Sequence, residues 1–389
     1  MFERSIVISK LMSFFLFGAR GTGKSTLLRS LFPQKTPPDS FFIDLLREED
    51  YVRFSTNPGL LGQIIESLPK TVQWIIIDEV QKVPKLLDEV HRQIFLKRAR
   101  FALTGSSARK LKRGQANLLG GRALIHHLFP LTEKEMGDSF DLSAVLTHGT
   151  LPDVVALSRG EDRAAYLRAY VSTYLKEEIV AEQVVRKMPP FLRFLPTVGQ
   201  RNGEIVNFSR MARDAGVDDM TVRSYYSILE DTLIGFFLEP YHRSIRKRQR
   251  ESSKFYLFDT GVARSLQGMA TAPLVEGSSD YGKAFEHFLI LEIRRRAEYL
   301  GKEWRYSYVR TSSESAEIDL IIERPGEKTV LLEIKSSTSV PDREIHRLRS
   351  FLPEFQNAEA RVFCRETHPR KQDQVTVFPW VQGLASLGL

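Results

Sequence analysis

A short glycine-rich stretch near the start of the chain has the residue types and spacing of a phosphate-binding loop. Residues 18–25 read Gly-Ala-Arg-Gly-Thr-Gly-Lys-Ser and follow the pattern G-x-x-x-x-G-K-[ST]. Glycines let backbone N–H groups turn toward phosphate oxygens, the lysine reaches the β- and γ-phosphates, and the serine hydroxyl binds Mg²⁺. The pattern therefore predicts a loop that binds ATP with Mg²⁺. The expected nucleotide contacts are Gly18, Gly21, Thr22, Gly23, Lys24, Ser25 and Thr26.

Two adjacent carboxylates, Asp78 and Glu79, follow an apolar run over 74–77. Such a run is typical of a buried parallel strand, which brings the residues after it to the carboxyl edge of the sheet. We expect Asp78 to hold Mg²⁺ through water and Glu79 to orient and deprotonate the attacking water. An apolar run that ends in Asp-Glu is a weak signal by itself. Together with the glycine-rich loop it indicates an ATP-hydrolysing site.

Three further residues are candidates for contact with the γ-phosphate. Ser106 follows a third apolar strand, 101–104, and is the predicted sensor of the γ-phosphate or its water. The alternative is a serine-rich turn that caps the next helix. Arg109 and Arg122 are candidate arginine fingers, which neutralise charge in the phosphoryl-transfer transition state and often come from a neighbouring subunit. For each arginine alone, a solvated surface position is the alternative.

A second group of charged residues lies in the last third of the chain. Glu286 is in a predicted helix, Asp319 is in a predicted strand, and the next strand carries Glu333 and Lys335 on one face. Asp319 and Glu333 are candidate ligands of Mg²⁺ or Mn²⁺, with Glu286 approaching from the helix. Lys335 would position water or stabilise charge on a phosphate. The alternative is an inherited fold in which these residues are kept for structure.

The middle of the chain contains a predicted helix-turn-helix over 208–233. Ala212, Gly216 and Val222 supply the small residue, the turn glycine and the apolar residue that this unit favours. Two apolar strands follow, with a basic loop between them, as in a winged helix. A protein–protein spacer and a solvated loop are the alternatives. The predicted DNA contacts are Thr221, Arg223, Ser224 and Tyr225 in the second helix and Arg243, Arg246, Lys247, Arg248 and Arg250 in the wing.

Several folded units are needed to position these candidates. With 389 residues, of which 42% are hydrophobic and 27% charged, the chain has the composition of a soluble globular protein with two or three domains. An apolar strand precedes the glycine-rich loop and a helix follows it. Apolar residues at a 3.6-residue period over 162–180 predict helices between about 135 and 195. The predicted domains are 1–132 for the ATP-binding unit, 133–198 for a helical lid or connector, 199–262 for the winged helix-turn-helix and 263–389 for the α/β unit with the acidic residues.

The overall charge and the cysteine count set broader expectations. The net charge of +8 at pH 7 is a modest indication of a polyanionic partner such as DNA. The single cysteine, Cys364, cannot form an intramolecular disulfide, which fits a cytoplasmic protein. The apolar segment 11–17 is short and leads directly into the phosphate loop, so we expect a buried strand and not a signal peptide. No stretch approaches the ~20 apolar residues of a membrane span.

Several motifs together resemble one protein family. Residues 13–26, 75–84 and 103–111, with Leu128-Phe-Pro-Leu131 and Gly149-Thr-Leu-Pro152, resemble the bacterial and archaeal AAA+ ATPases that carry a C-terminal nuclease-like domain of unknown function. The resemblance covers nearly the whole chain, and Ala19 stands where the family usually has proline. The order of a helix Glu, a strand Asp and Glu-x-Lys resembles the PD-(D/E)XK nuclease superfamily.

The resemblance implies an α/β fold in the outer domains. These are a P-loop AAA+ ATPase domain and a C-terminal restriction-endonuclease-like domain, with a helical and winged-helix middle. The leading hypothesis is an AAA+ ATPase that acts on DNA as a motor or switch and is coupled to a Mg²⁺-dependent deoxyribonuclease. Arginine fingers would imply a homo-oligomeric ring, such as a hexamer. The alternatives are an ATP-controlled DNA-binding or scaffold protein with a silent nuclease fold, and a signalling or defence NTPase with a protein partner.

Overall fold

The computed structural model describes residues 2–107, 119–174, 188–242, 252–310 and 317–389. Its amino-terminal part is a parallel sheet of the strands β1 Ser13–Phe17, β2 Ser40–Asp44, β3 Trp74–Asp78, β4 Arg100–Gly105 and β5 Ala123–His127. The order of these strands is β2-β3-β4-β1-β5. The helices around the sheet are α1 Lys24–Leu31, α2 Glu48–Thr56, α3 Leu60–Ser67 and α4 Leu86–Phe95.

The apolar strands of this sheet are buried on both faces. In β1, Phe15 and Phe17 belong to the hydrophobic core on one face, whereas Phe14 and Leu16 belong to the core on the other. Side chains alternate along a strand, so a strand covered on both sides must be apolar at every position. The prediction of a buried parallel sheet from these runs is confirmed. The carboxyl ends of β1, β3 and β4 meet at the edge that carries the glycine-rich loop.

The middle part of the chain is mainly helical. Pro189 and Pro190 belong to the helix Met188–Gln200, and Pro196 lies inside it. Gly216, with φ at 71°, makes the turn of the helix-turn-helix segment. The elements are α5 Glu133–Met136, α6 Leu142–His148, α7 Pro152–Val155, α8 Gly160–Ala169, a π-helical turn Tyr170–Tyr174, α9 Met188–Gln200, α10 Phe208–Ala215 and α11 Asp219–Asp231.

The two strands that the sequence suggested as part of a separate winged unit belong to a larger sheet. They are β6 Gly235–Pro240 and β7 Lys254–Leu257, which pair antiparallel. β6 also pairs in parallel with β8 Arg305–Arg310, through Glu239 opposite Ser307. This pairing satisfies backbone groups that an isolated two-stranded wing would leave to solvent. The helix-turn-helix segment is therefore joined directly to the C-terminal sheet.

The C-terminal sheet has eight strands and is covered by helices. Among the described residues, the helices are too short or too polar to span a bilayer. The remaining strands are β9 Glu317–Glu323, β10 Thr329–Ile334, β11 Ala358–Cys364, β12 Arg370–Gln372 and β13 Val375–Pro379, in the order β12-β13-β11-β10-β9-β8-β6-β7. The helices are α12 Thr260–Leu266, α13 Ser279–Tyr299, α14 Asp342–Ser350 and α15 Trp380–Ser386.

A buried polar network joins the three parts of the chain. Asp259 is fully buried, and its Oδ2 accepts a hydrogen bond from the backbone N–H of Thr150 at 2.8 Å. Arg295 of α13 donates to the carbonyl oxygens of Leu131 at 3.0 Å and Phe258 at 2.7 Å. Burial raises the pKa of the Asp259 carboxyl, and the hydrogen bond from Thr150 and the charge of Arg295 oppose that rise. Buried polar groups that satisfy one another hold the surrounding elements in one arrangement.

Candidate functional site

The glycine-rich loop follows β1 and leads into α1, as the sequence predicts. Gly21 and Gly23 have φ angles of 81° and 91°, left-handed values that glycine adopts without steric cost. A Cβ on Gly18 would lie 2.8 Å from Oγ1 of the buried Thr22 and closer still to the carbonyl oxygen of Leu128. The backbone therefore favours glycine at both fixed glycine positions of the motif, Gly18 and Gly23, and also at Gly21 between them.

The Lys24 side chain turns back into the loop. Its Nζ donates to the carbonyl oxygens of Gly18 at 2.8 Å and Ala19 at 3.2 Å, and lies 4.0 Å from Oε1 of Glu79. The side chain is only 5% exposed, so water contributes little to the stabilisation of its charge. Phosphate oxygens would supply the negative charge that this ammonium matches.

The two predicted carboxylates lie at the carboxyl end of β3. Thr104 of β4 donates its hydroxyl to Oδ1 of Asp78 and accepts from the backbone N–H of Glu79 at 3.0 Å. Glu79 has a φ of 59°, a left-handed value that is uncommon for residues other than glycine and concentrates at functional sites. Thr104, which was not singled out in the sequence, therefore fixes the carboxylate of Asp78 and the backbone of Glu79 against the sheet.

Gln81 connects Glu79 to Ser106. Its Nε2 donates to Oε2 of Glu79 and to Oγ of Ser106, the latter at 2.9 Å. Its Oε1 is buried and has no hydrogen-bond partner among the described residues, which leaves an acceptor for water or a ligand. Ser106 thus lies beside Glu79. Gln81 was missed, and its position two residues after Glu79 was the only signal in the sequence.

These residues border a cavity of 1090 Å³, which is large enough for a nucleoside triphosphate. Its lining combines backbone N–H groups, charge and hydroxyls with apolar side chains, so both phosphates and a base could find matching contacts. The polar lining includes Gly21, Gly23, Lys24, Ser25, Thr26 and Glu79, and the apolar lining includes Ile6, Leu27, Leu31, Pro152 and Ala156.

The donor atoms beside the loop fit a magnesium ion. Ser25 brings a hydroxyl to the cavity wall, and the carboxylate of Asp78 lies next in sequence to Glu79, which also borders the cavity. Oxygen atoms of this kind are the ligands that Mg²⁺ prefers. Ser25 and Asp78 are therefore the residues that would hold the ion of a Mg²⁺-nucleotide.

Arg122, one of the two candidate arginine fingers, lies away from this chain's own phosphate loop. Arg109 lies outside the described residues. Arg122 precedes β5, and Ala123 of β5 is paired with Ser13 at the start of β1, so Arg122 lies at the sheet edge opposite the loop. Its Nη1 is 2.7 Å from Nε2 of His91. Arg122 could act as a finger only toward a neighbouring subunit, and that role stays a prediction.

Tyr225 is a core residue of α11, which corrects its assignment as a DNA contact. It is 5% exposed, and its ring packs edge-on against Phe191 with the centroids 4.8 Å apart. Its position three residues after the buried Val222 puts it on the inner face of the helix. The helical spacing was therefore the available signal that this side chain points inward.

The other candidate DNA contacts of α11 remain at the surface or the cap. Thr221 donates its backbone N–H at 2.8 Å and its hydroxyl at 2.9 Å to Asp218, which caps the start of the helix. Arg223 and Ser224 are exposed, and the Arg223 guanidinium lies 3.9 Å from the ring centroid of Phe208. The candidate wing contacts Arg243, Arg246, Lys247, Arg248 and Arg250 lie outside the described residues.

The charged residues singled out in the C-terminal part come together in the structure. The backbone N–H of Ile334 in β10 donates to Oδ2 of Asp319 in β9 at 2.7 Å. Nζ of Lys335 lies 2.7 Å from Oε1 of Glu333, as expected for neighbours on one face of a strand. Burial, followed by the charges of Glu333 and Glu286, raises the pKa of Asp319 well above its usual range.

Lys254, at the start of β7, adds a buried ammonium to this cluster and was not singled out in the sequence. Its side chain is 6% exposed, its Nζ is 3.6 Å from Oε1 of Glu286, and it forms an ion pair with Glu317. Burial lowers the pKa of Lys254, but the charges of Glu286, Glu317 and Asp319 outweigh burial and raise it. Lys254 is therefore a cation among the acidic residues.

Cationic side chains contact two of the carboxylates in this cluster. Within the described ranges, no group of three His, Cys, Asp or Glu side chains is placed to hold a metal ion. Glu286 contacts Lys254 and accepts a hydrogen bond from the Tyr256 hydroxyl at 2.6 Å. Glu333 pairs with Arg347 at 2.6 Å in addition to its partner on the same strand. Asp319 instead accepts from the backbone N–H of Ile334, and Oε2 of Glu333 is buried with no hydrogen-bond partner among the described residues. The assignment of Mg²⁺ or Mn²⁺ to Asp319 and Glu333 stays a prediction.

His287, which follows Glu286, makes folding sensitive to acid. Burial lowers the pKa of His287 to about 4 from the usual 6.5, and both ring nitrogens have partners, Asn202 at 3.1 Å and the carbonyl of Leu257 at 2.6 Å. Between these two values the unfolded chain binds a proton that the folded chain does not, so the free energy of unfolding falls as pH drops from 6.5 to 4. The expected loss is about 3 kcal/mol.

Urea unfolding at pH 7 and pH 4.5 measures this effect. We expect His287→Gln to remove most of this pH dependence, whereas His346→Gln, at a side chain that is 60% exposed, should leave it unchanged. An equal pH dependence in wild type and His287→Gln would contradict the assignment.

Three family models match consecutive parts of the chain. Residues 12–137 match the AAA domain, residues 139–272 match a domain of unknown function (DUF8612), and residues 281–382 match another (DUF4143). The AAA match covers the glycine-rich loop, both carboxylates of β3 and Ser106. It agrees with the resemblance of these motifs to AAA+ ATPases.

Two solved structures are similar to parts of the chain. One is the Aeropyrum pernix ORC1 protein in complex with DNA, with a TM-score of 0.34 and 13% identity, over 67% of this chain and 87% of that one. The other is domain III of the Thermotoga maritima replication initiation protein DnaA, with a TM-score of 0.23 and 17% identity, over 52% of this chain and 82% of that one. At these scores neither similarity bears on the function of this chain.

Three relatives extend the match beyond the AAA domain. A Haemophilus influenzae uncharacterized protein is 22% identical over 354 residues, 85% of this chain and 84% of its own length. The uncharacterized proteins Rv2008c of Mycobacterium tuberculosis and Mb2031c of Mycobacterium bovis are each 30% identical over 357 residues, 91% of this chain and 76% of their own length. With its AAA domain and this extended match, the chain belongs to the family of AAA-domain proteins that includes Rv2008c.

Proposed function

We propose that this protein binds ATP with Mg²⁺ and hydrolyses it at the loop between β1 and α1. The observation that carries the proposal is the shared cavity, into which Lys24, Ser25 and Glu79 all project from the carboxyl edge of one sheet. A phosphate loop, a cation and a carboxylate at one edge are the parts that phosphoryl transfer to water requires.

Each residue has a role that follows from its chemistry. Lys24 neutralises charge on the β- and γ-phosphates, and the N–H groups of the loop hold their oxygens. Glu79 takes a proton from the attacking water, with its carboxylate oriented by Gln81. Ser106, through its bond to Gln81, can report the γ-phosphate to Glu79. A bound Mg²⁺ would spread the negative charge of the phosphates.

Phosphate release from ATP in Mg²⁺ tests the proposal directly. We expect turnover by the wild-type protein that EDTA abolishes. A protein that neither binds nor turns over ATP in Mg²⁺ would overturn it.

We also propose a homo-oligomer, such as a hexameric ring, because Arg122 could reach a nucleotide only across a subunit boundary. Sedimentation with and without ATP tests this proposal.

For the remainder of the chain we propose ATP-controlled DNA binding, with a nuclease-like fold that does not cleave. The buried ammonium of Lys254 among Glu286, Glu317 and Asp319 favours this over Mg²⁺-dependent DNA cleavage. Replacing such an ion cluster by a divalent cation would require the lysine to leave, at the cost of separating buried charges. The competing proposal, an active nuclease, is favoured by the convergence of Asp319, Glu333 and Lys335.

Strand breakage distinguishes the two proposals. Wild type is incubated with single-stranded, duplex and branched DNA, ATP, and Mg²⁺ or Mn²⁺. We expect ATP turnover without breakage. Breakage that both Asp319→Ala and Lys335→Ala abolish, with ATP hydrolysis intact, would establish the nuclease and overturn the silent-fold proposal.

Binding to DNA is expected to depend on the basic segment between β6 and β7. Changing four of its cations to alanine should weaken binding to all DNA sequences alike. The slope of log affinity against log salt concentration should also become shallower, by up to about 0.9 for each lost phosphate contact. A control with the same change in net charge uses exposed cations of the AAA domain. The four test residues are Arg246, Lys247, Arg248 and Arg250, and the four control residues are Lys35, Arg47, Arg92 and Arg98.

Fluorescence anisotropy at several salt concentrations measures both quantities. Equal affinities and slopes in wild type and the test variant would remove this segment from the DNA-binding surface. Equal losses of DNA affinity in the test and control variants would mean that the loss results from the lower net charge and not from this segment.

A further inference from the structure

Two side chains from outside the AAA sheet hold the phosphate loop by its carbonyl oxygens. The Tyr170 hydroxyl donates to the carbonyl of Arg20 at 2.9 Å, across 150 positions of sequence. Nη1 of Arg4 donates to the carbonyl of Thr22 at 2.8 Å. These two carbonyls belong to the peptide groups whose N–H groups come from Gly21 and Gly23.

The direction of a held carbonyl determines the direction of the N–H on the same peptide. A trans peptide is planar, with its C=O and N–H pointing to opposite sides. A donor that fixes the Arg20 carbonyl therefore also aims the N–H of Gly21, and one that fixes the Thr22 carbonyl aims the N–H of Gly23. A loop binds phosphate by converging its N–H groups, so its carbonyls must be turned away and held. Gly21 and Gly23 are flexible, which makes the outside donors effective.

Both donors are rigid and buried. Tyr170 is 1% exposed and stands in the π-helical turn that follows α8, a kind of irregularity that is frequent at functional sites. Its ring packs beside Phe258, with centroids 6.3 Å apart. The Arg4 side chain is 7% exposed and forms an ion pair with Glu135 at 3.1 Å.

The two donors connect the loop to different parts of the chain. Nη2 of Arg4 donates to the hydroxyl of Tyr299, the last residue of α13, at 3.0 Å, and to the carbonyl of Phe129 at 2.5 Å. Tyr170 belongs to the part that matches the first domain of unknown function. The shape of the loop thus depends on the docking of the segment that carries Tyr170 and of α13.

We propose that Arg4 and Tyr170 are positioning residues for ATP, which set the orientation of the Gly21 and Gly23 N–H groups and make ATP affinity depend on the packing of the rest of the chain against the AAA domain. This inference rests on the proposed function. Neither residue is assigned to the chemical step, so their loss should change the affinity for ATP and not the rate of hydrolysis once ATP is bound.

The test compares Tyr170→Phe and Arg4→Lys with the wild type of the full chain. Tyr170→Phe keeps the ring and removes only the hydroxyl. The matched control is Tyr225→Phe, because Tyr225 lies in the same hydrophobic core as Tyr170 but does not contact the loop. The measurements are the Kd for ATP, kcat at saturating ATP in Mg²⁺, and the thermal midpoint of each variant.

We expect Tyr170→Phe to raise the Kd for ATP about three- to tenfold, the effect of one lost hydrogen bond. Arg4→Lys should raise it at least as much, because Arg4 also donates to Glu135, Phe129 and Tyr299. In both variants kcat should stay within about twofold of wild type. Tyr225→Phe should leave the Kd unchanged. If wild type binds ATP and Tyr170→Phe binds it equally well, or if kcat falls while the Kd is unchanged, the inference is overturned and the proposed function stands. If wild type itself does not bind ATP, the proposed function and the inference both fall.

Discussion

Replacing Glu79 by glutamine is expected to leave ATP bound while lowering its hydrolysis by about two to four orders of magnitude, the usual contribution of a general base. Glutamine has the shape of glutamate, so it can keep the contact with Gln81 that orients the side chain. It cannot accept a proton from water. The measurements are phosphate release at saturating ATP and the Kd for ATP in Mg²⁺.

Glu3→Gln is the matched control for this variant. Glu3 is an exposed carboxylate that borders the same cavity, so this change removes the same charge without removing the proposed base. We expect Glu3→Gln to hydrolyse ATP at nearly the wild-type rate. Lys24→Ala should instead lose affinity for ATP, because the phosphates lose their cation. Normal turnover by Glu79→Gln would show that another group activates the water.

The nucleotide site was largely predictable from the sequence because its parts are local. The loop needs glycine where φ is positive, and the apolar strand before Asp78 and Glu79 fixes where the carboxylates emerge. Both signals occupy a few consecutive residues. Arg4 and Tyr170 were not predictable, since a hydrogen bond to the loop across 18 or 150 positions leaves no local pattern.

The C-terminal cluster shows what spacing alone cannot decide. The alternation of side chains along a strand predicted that Glu333 and Lys335 meet, and their ion pair agrees. Lys254 lies far away in the sequence and reaches the cluster only because β6 and β7 join the same sheet. The sequence pattern predicted that β6 and β7 form part of a separate winged unit. That prediction gave no reason to expect a lysine of β7 among the acidic residues.

Gly149→Ala is expected to unfold the junction between the AAA domain and the rest of the chain. Gly149 has φ at 76° and ψ at −165°, a region that only glycine occupies readily. A Cβ there would lie 2.6 Å from Oδ2 of Asp259 and closer still to Oδ1. Asp259 cannot withdraw easily, because it is fully buried and accepts from the N–H groups of Thr150 at 2.8 Å and Val262 at 3.0 Å.

Gly268→Ala separates backbone strain from this overlap. Gly268 has φ at 77°, but a Cβ there would meet no atom within 4 Å. We expect Gly268→Ala to cost about 1–2 kcal/mol, the strain of a left-handed alanine. Gly149→Ala must also displace a buried carboxylate from its donors, so its cost should exceed about 4 kcal/mol, a large part of the roughly 5–15 kcal/mol that stabilises a typical domain. Urea unfolding of both variants measures the difference in their free energies of unfolding. Similar losses of this free energy would mean that the junction can rearrange around Asp259. A large difference would give the motif Gly149-Thr-Leu-Pro152 a structural cause: its glycine leaves room for the aspartate that joins the three parts of the chain.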